Sequence, residues 1–407
     1  MNKVGENSYP NLMTMLTGKR AKTEQDDMPL EMDPYDKNKF DSAPIIWRHF
    51  AAKGYATVFN EDWTTYGTFH YYAQGFAKKP VDYYYHMFWL VADRNYKNRY
   101  CVANSPSGEV HTDITRRHLV ALKDTLQFGF HFFTDYSHQS EDDINMADEI
   151  YARFFRDMFE QGHLNKTAVF FFGDHGHRFS DIRQTLIGSF EEHNPMFGIW
   201  FPEWFYGQHP HLKGVLRRNT DRYSSTFDVY EALKDILNEE YDTPVQNPKL
   251  KRGLSLLRTM PEKRTCKQAG VPDRYCLCKE EIPIDVRNDT VIEAAEYTIK
   301  LLNKYLRANV IGKKCHKIEL DVILGATSID YDQNWGQGHD HLNKMKLILS
   351  TRPNKAIFEV ILGKNRQNWT TQNEWTLSGE IERISEYGHS ADCIDDKHLR
   401  KYCTCKS

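Results

Sequence analysis

The stretch "FFFGDHGHRFSDIR", residues 170–183, runs from three phenylalanines straight into Gly173, Asp174, His175, Gly176 and His177. A carboxylate and an imidazole on adjacent residues can face one divalent ion, and the flanking glycines let the chain turn so that they do. The same pair also suits a strand-end turn that caps a following helix. A second polar tip, "TDYSHQS" at 134–140, follows the apolar "FGFHFF" at 128–133 and carries Asp135 and His138. A third candidate is Ser8, just before Pro10 in "SYPNLMTMLTG", residues 8–18. Free backbone N–H groups at a helix start favour an anion, so Ser8 suits a nucleophile toward a phosphate or sulfate ester; a serine that merely caps the helix looks the same.

These groups need elements to bring them together. "SYPNLMTMLTG" reads as a short helix, with Pro10 in the first turn and Gly18 as its stop. "SAPIIWRHFAAKGYATVF" (42–59) reads as helix, turn at Gly54 and strand. "TDITRRHLVALKDTL" (112–126) is a helix capped by Thr112, "FGFHFF" a buried strand, and Ser140 caps a helix with apolar positions Ile144, Ala147, Ile150, Phe154 and Met158. "TAVFFF" (167–172) is short and continuously apolar, as a parallel strand covered on both faces is. Ligand sites of open parallel sheets gather beyond the carboxyl ends of the strands, where Asp174, His175 and His138 would all lie. Residues 1–260 thus read as a doubly wound α/β domain with helices on both faces. Residues 261–407 change texture, with one helix, "TVIEAAEYTIKLLNKYLR" (290–307), then alternating strands such as "MKLILS" and "AIFEVIL". They read as a Cys-rich α+β module with an antiparallel sheet.

The chain has 407 residues, 40% hydrophobic and 13% aromatic, which is a folded composition. Fifty-three basic and 56 acidic residues give a net charge of -3 without long runs of one sign, which argues against a nucleic-acid surface. No apolar stretch reaches the length of a membrane span, and "MNKVGENSYP" lacks the apolar core of a signal peptide. Of the eight cysteines, all but Cys101 lie between Cys266 and Cys405: Cys266, Cys276, Cys278, Cys315, Cys393, Cys403 and Cys405. Disulfides are the expectation and zinc the competitor, since the Cys-x-Cys pairs lack the spacing of zinc knuckles. Asn165, Asn288 and Asn368 head Asn-x-Ser/Thr sequons, which point to the same secretory compartment.

Six segments in order resemble the sulfatase-like branch of the alkaline phosphatase superfamily. "SYPNLMTMLTG" keeps the eleven-residue frame of the sulfatase signature, with Ser8, Pro10, Leu16, Thr17 and Gly18 in register. "FAAKGYATVF" is similar to the helix and strand that follow, and "GDHG" to the second metal-ligand loop. "SFEEHNPMFGIWFP" (189–202), "STFDVYEALKDIL" (225–237) and "RGLSLL" (252–257) match later segments. Within that superfamily the wording is closest to an uncharacterised family of secreted animal proteins. The resemblance implies an alkaline phosphatase-like fold, an extracellular location, Ser8 at the nucleophile position, and Asp174 and His175 as metal ligands. His138 would contact the substrate's anionic group, with Arg183 as an extra cation. One divalent ion, calcium, zinc or manganese, is expected if the site is complete, and none otherwise.

The departures shape the functional expectation. Leu12 and Asn11 stand where sulfatases have the arginine and serine beside the modified nucleophile, so an unmodified hydroxyl is expected at Ser8. No lysine lies between His175 and Glu191. The strand ending in metal-binding aspartates, which family members place before the first helix, has no counterpart in the nine residues before Pro10. The expectation is a secreted sulfatase-like protein, N-terminally truncated and catalytically impaired as written; the alternative is an active phosphate- or sulfate-ester hydrolase or transferase with Ser8 as nucleophile.

Overall fold

The computed structural model describes residues 1–22, 30–32, 39–71, 73–96, 100–138, 140, 142–241, 252–308, 310–331, 342–365 and 375–406. The chain forms two compact units. Unit 1 takes Met1–Lys22, Leu30–His177 and Asn194–Glu262. Unit 2 takes Lys263–Ser407 together with Arg178–His193, a segment the sequence reading had assigned to the first domain. No helix among the described residues is long and apolar enough to cross a membrane.

Unit 1 begins with α1 (Ser8–Thr17), which ends at Gly18 with φ 65° and its N–H on the Thr14 carbonyl. That left-handed backbone is why a glycine stands there. Next come α2 (Ile46–Ala52), β1 (Ala56–Glu61), β2 (Tyr83–Tyr84) and α3 (His86–Asn95). A small hairpin, β3 (Cys101–Val102) and β4 (Ser105–Pro106), leads to α4 (Ser107–Ala121) and β5 (Gln127–Phe132). The order β2-β1-β5 is parallel throughout, so the α/β expectation holds. Glu61 pairs with Phe132, which brings the two strands to the same rim and delivers Asp62 and Asp135 there. Beneath, Trp47 stacks on Phe59 at 5.3 Å and Phe50 on Phe128 at 4.5 Å, in a core that also takes Leu12, Met13 and Leu16 of α1.

Two helix starts differ from expectation. α4 opens at Ser107, directly after Pro106, whose fixed φ already suits a helix entry. Thr112 is therefore interior, its hydroxyl donating to the Gly108 carbonyl. α5 (Asn145–Glu160) starts beyond Ser140, which instead accepts the Asp142 N–H in a turn.

β6 (Val169–Phe172) corrects a larger expectation: it pairs antiparallel with β7 (Phe197–Trp200), and Phe171 is 41% exposed rather than covered on both faces. Residues 178–193, including α6 (Leu186–His193), belong to unit 2. α7 (Glu203–Gln208), α8 (Pro210–Asn219) and α9 (Thr226–Asn238) close the unit. Asp228 completes the capping box of α9 with Ser225 and accepts the Leu254 N–H, joining the "STFDVY" and "RGLSLL" segments.

Residues 263–407 of unit 2 have an α+β arrangement. β8 (Lys279–Pro283), α10 (Asp289–Ala308), β9 (Glu319–Tyr331), β10 (Leu342–Arg352), β11 (Ile357–Asn365), β12 (Trp375–Leu377) and β13 (Glu382–Arg383) form one helix and an antiparallel sheet. Strand alternation puts Leu347, Leu349, Phe358 and Val360 on one face, where they share a core with Val291, Ala294, Ala295 and Leu302 of α10. Disulfides join Cys266 to Cys276, Cys315 to Cys403 and Cys393 to Cys405. Cys278, expected in a bridge, is in none of these three.

Candidate functional site

Three chain segments of unit 1 meet at the strand-end rim. α1 presents Ser8 as its first residue, and Ser8 Oγ lies 3.4 Å from His175 Nε2. Asp174 and His175 leave β6 as expected, with Asp174 Oδ2 3.5 Å from the same His175 Nε2. Asp174 is 8% exposed, and this oxygen is buried without a hydrogen-bond donor among the described residues. His175 Nδ1 faces the Gly176 carbonyl at 2.7 Å. A carbonyl only accepts, so Nδ1 carries a proton, and Nε2 is the ring atom that faces Ser8 and Asp174. An imidazole nitrogen this close to a carboxylate oxygen calls for a cation or a proton between them. The donor set is that of a divalent-metal ligand pair, with the Nδ1 bond fixing the ring as such sites require.

Ser8 owes its place to Asn11, which the sequence reading noted only as a departure. Buried on α1, Asn11 accepts the N–H groups of Val4 and Gly5 through Oδ1 and donates through Nδ2 to the carbonyls of Gly5 and Asn7. All four capacities of the amide are used, and the bend that leads into Ser8 is pinned.

The rim also holds acids that the sequence reading passed over. Glu61 is 5% exposed, its Oε1 accepting the N–H and hydroxyl of Thr68 at 2.7 and 2.8 Å. Burial, reinforced by the Asp174 charge and opposed by those hydrogen bonds, pushes its carboxyl up to about 7. Asp62 accepts the N–H groups of Thr134 and Asp135, and burial first, then the Asp135 charge, holds it well above the usual carboxylate range. The buried Tyr84 hydroxyl beside Glu61 is likewise raised by burial and then by that carboxylate. "NEDW" after an apolar strand is the signal that marked Asp174, and it marks Glu61 and Asp62 as well.

His138 lies on this rim, exposed, with its ring edge-on to Trp63 at 4.1 Å. Arg183 lies in the segment Arg178–His193 of unit 2. It is 1% exposed within unit 2, where its guanidinium meets Glu359 at 3.2 and 3.3 Å and Glu192 at 3.3 Å. Its expected role as a substrate cation is corrected accordingly, since carboxylates already occupy its donors. Asn165 precedes β6 and Asp174 follows it, so the strand's rise separates them. Asn165 and Asn288 are both exposed, and Asn368 falls outside the described residues.

A family model described as "Protein of unknown function (DUF229)" matches residues 1–324. The chain belongs to the DUF229 family. The match runs through unit 1 and into β9. No curated protein matches this DUF229 chain. Among solved structures, the crystal structure of the lipoteichoic acid synthase LtaP from Listeria monocytogenes is similar at 13% identity and a TM-score of 0.34, over 50% of this chain and 55% of that one. This chain therefore spans about half of that protein's length.

Proposed function

We propose that this DUF229 chain is a secreted, metal-dependent hydrolase or transferase of phosphate or sulfate esters, with Ser8 as nucleophile. The observation that carries it is the convergence of Ser8 Oγ, His175 Nε2 and the orphaned Asp174 Oδ2 at the start of α1. Asp174 and His175 would hold the cation. A divalent ion there supplies positive charge for ionising the serine hydroxyl and for the ester's anionic oxygens. The backbone N–H groups opening α1 favour that anion, and Asn11 keeps the hydroxyl at the rim. The Nδ1–Gly176 bond leaves Nε2 of His175 for the cation, while His138, exposed on Trp63, would contact the substrate's outer oxygens. Three disulfides support an oxidising, extracellular destination.

A second reading, a binding protein of this fold without turnover, is favoured by one observation. Among the described residues no third His, Cys, Asp or Glu donor joins Asp174 and His175 in a cluster whose atoms all lie within 4.8 Å of one another. Purified chain should therefore be assayed on aryl phosphate and aryl sulfate with zinc, manganese or calcium, beside Ser8→Ala and with bound metal counted by elemental analysis. Turnover lost in Ser8→Ala supports the ester chemistry. Folded protein with no turnover above that control sinks it and leaves the binding reading.

A further inference from the structure

The end of unit 1 opposite Asp174 carries an aromatic patch beside a sequon. Phe159 is 59% exposed and meets Trp200 edge-on at 5.7 Å. With Phe155, Leu164 and Val169 they line an open apolar cavity of about 360 Å³. Trp204 is 49% exposed, and its indole N–H donates to the Asn165 carbonyl at 2.6 Å. One of the largest apolar rings of the surface is thus pinned to the backbone of Asn165, in the sequence Asn165-Lys166-Thr167, while Leu164 next to it lines the cavity.

Asn165 itself sits in a turn after Gly162, its N–H on the Gly162 carbonyl, and its side-chain amide makes no hydrogen bond within the described residues. Asn288 is different: its Oδ1 accepts the Thr290 N–H and caps the start of α10. Of the two described sequons, the one with an uncommitted amide is the one beside exposed aromatic rings. The apolar C–H face of a pyranose stacks on such a ring while its hydroxyls stay in water, as amphipathic surfaces of this kind require.

We propose that Asn165 carries an N-linked glycan whose first sugars lie on Trp204 and across the Phe159–Trp200 patch. In its attachment the Asn165 amide nitrogen forms a bond to the anomeric carbon of a lipid diphosphate-linked oligosaccharide. The bond from that carbon to the diphosphate oxygen breaks, the lipid diphosphate departs, and the amide loses one proton. The inference rests on the secretory part of the proposed function and is independent of Ser8 chemistry.

The test expresses the full chain behind an added secretion signal in eukaryotic cells, in an Asn288→Gln/Asn368→Gln background, and maps Asn165 by glycopeptide mass spectrometry. Entry into the compartment is supplied by the signal, and turnover is not the readout, so failure here is separable from failure of the ester reading. The expected result is an occupied Asn165. Trimming to one sugar should leave the unfolding midpoint in place, and the bare protein, obtained as Asn165→Gln, should melt about 2–4 °C lower. In Trp204→Ala the trimmed and bare forms should melt together. A bare Asn165 in folded secreted protein, or the same midpoint difference with and without Trp204, overturns the proposal.

Discussion

Asn11 makes four hydrogen bonds to buried backbone of residues 4–7, so its loss is felt as unpaired backbone groups rather than as a missing side chain. Asn11→Ala should destabilise the chain by about 3 kcal/mol in urea unfolding, and should lower Ser8-dependent turnover even at temperatures where the protein is fully folded. Glu61 gives a pH signature. Its folded carboxyl titrates near 7 against an ordinary 4.5, so the folded state holds the proton more tightly. Stability from this group is complete below the ordinary value, declines as pH rises toward 7, and is constant above. In chelator-treated protein, Glu61→Gln should therefore gain stability at pH 8 relative to pH 4, by on the order of 3 kcal/mol. Parallel stability curves for variant and parent across that range would refute it. Glu61 stands on an apolar-to-polar boundary that is visible in sequence, whereas Asn11 reads there only as a departure from the sulfatase signature, because its partners are backbone atoms.

The segment Arg178–His193 shows how an element's place is decided by charge. Arg183 is buried with Glu359, Glu192 and, through Glu359, Arg274 at 3.4 Å. Burial opposes charge on Glu359, but the Arg183, Lys346 and Arg274 charges outweigh it and hold its carboxyl well below the usual range. Glu359→Gln leaves Arg183 facing fewer charges in a dry site and should cost about 3–5 kcal/mol, and adding Arg183→Met should cost more, because the buried Glu192 then loses its guanidinium. Chemical denaturation of the three proteins checks the order. The sign with pH is opposite to that of Glu61: this contribution is present above the ordinary carboxylate value of 4.5 and is lost as pH falls through the lower folded value. "SDIRQ" reads as a polar loop beside a candidate site, and nothing in its spacing names a carboxylate 176 residues away.

All six bridged cysteines lie in unit 2, and unit 1 holds only the thiol of Cys101. The Cys315–Cys403 bridge closes 88 residues and the Cys393–Cys405 bridge 12, which restrict the unfolded chain by about 4–5 and about 3 kcal/mol in the loop-entropy model. Reduction should therefore abolish hydrogen-exchange protection in β9–β11 first and leave β1 and β5 protected. Equal loss in both sets of strands would show that the units do not unfold separately. The cysteine clustering made the staples legible, but not their pairing, which depends on the isolated β-bridge that sets Cys315 opposite Cys405.

Periodicity and composition alone determined that an α/β part precedes a disulfide-bonded α+β part, that α1 stops at Gly18, and that Asp174 and His175 emerge from an apolar strand. Those features are local: they follow from backbone sterics and from side chains within a few residues. Tertiary structure alone decided that β6 runs antiparallel to β7, that Arg183 belongs to a buried ion cluster, and that Ser8 Oγ comes within 3.4 Å of a histidine 167 residues away. Strand direction, desolvation and the meeting of distant donors depend on where the chain returns, and that is set by the packing of the whole unit.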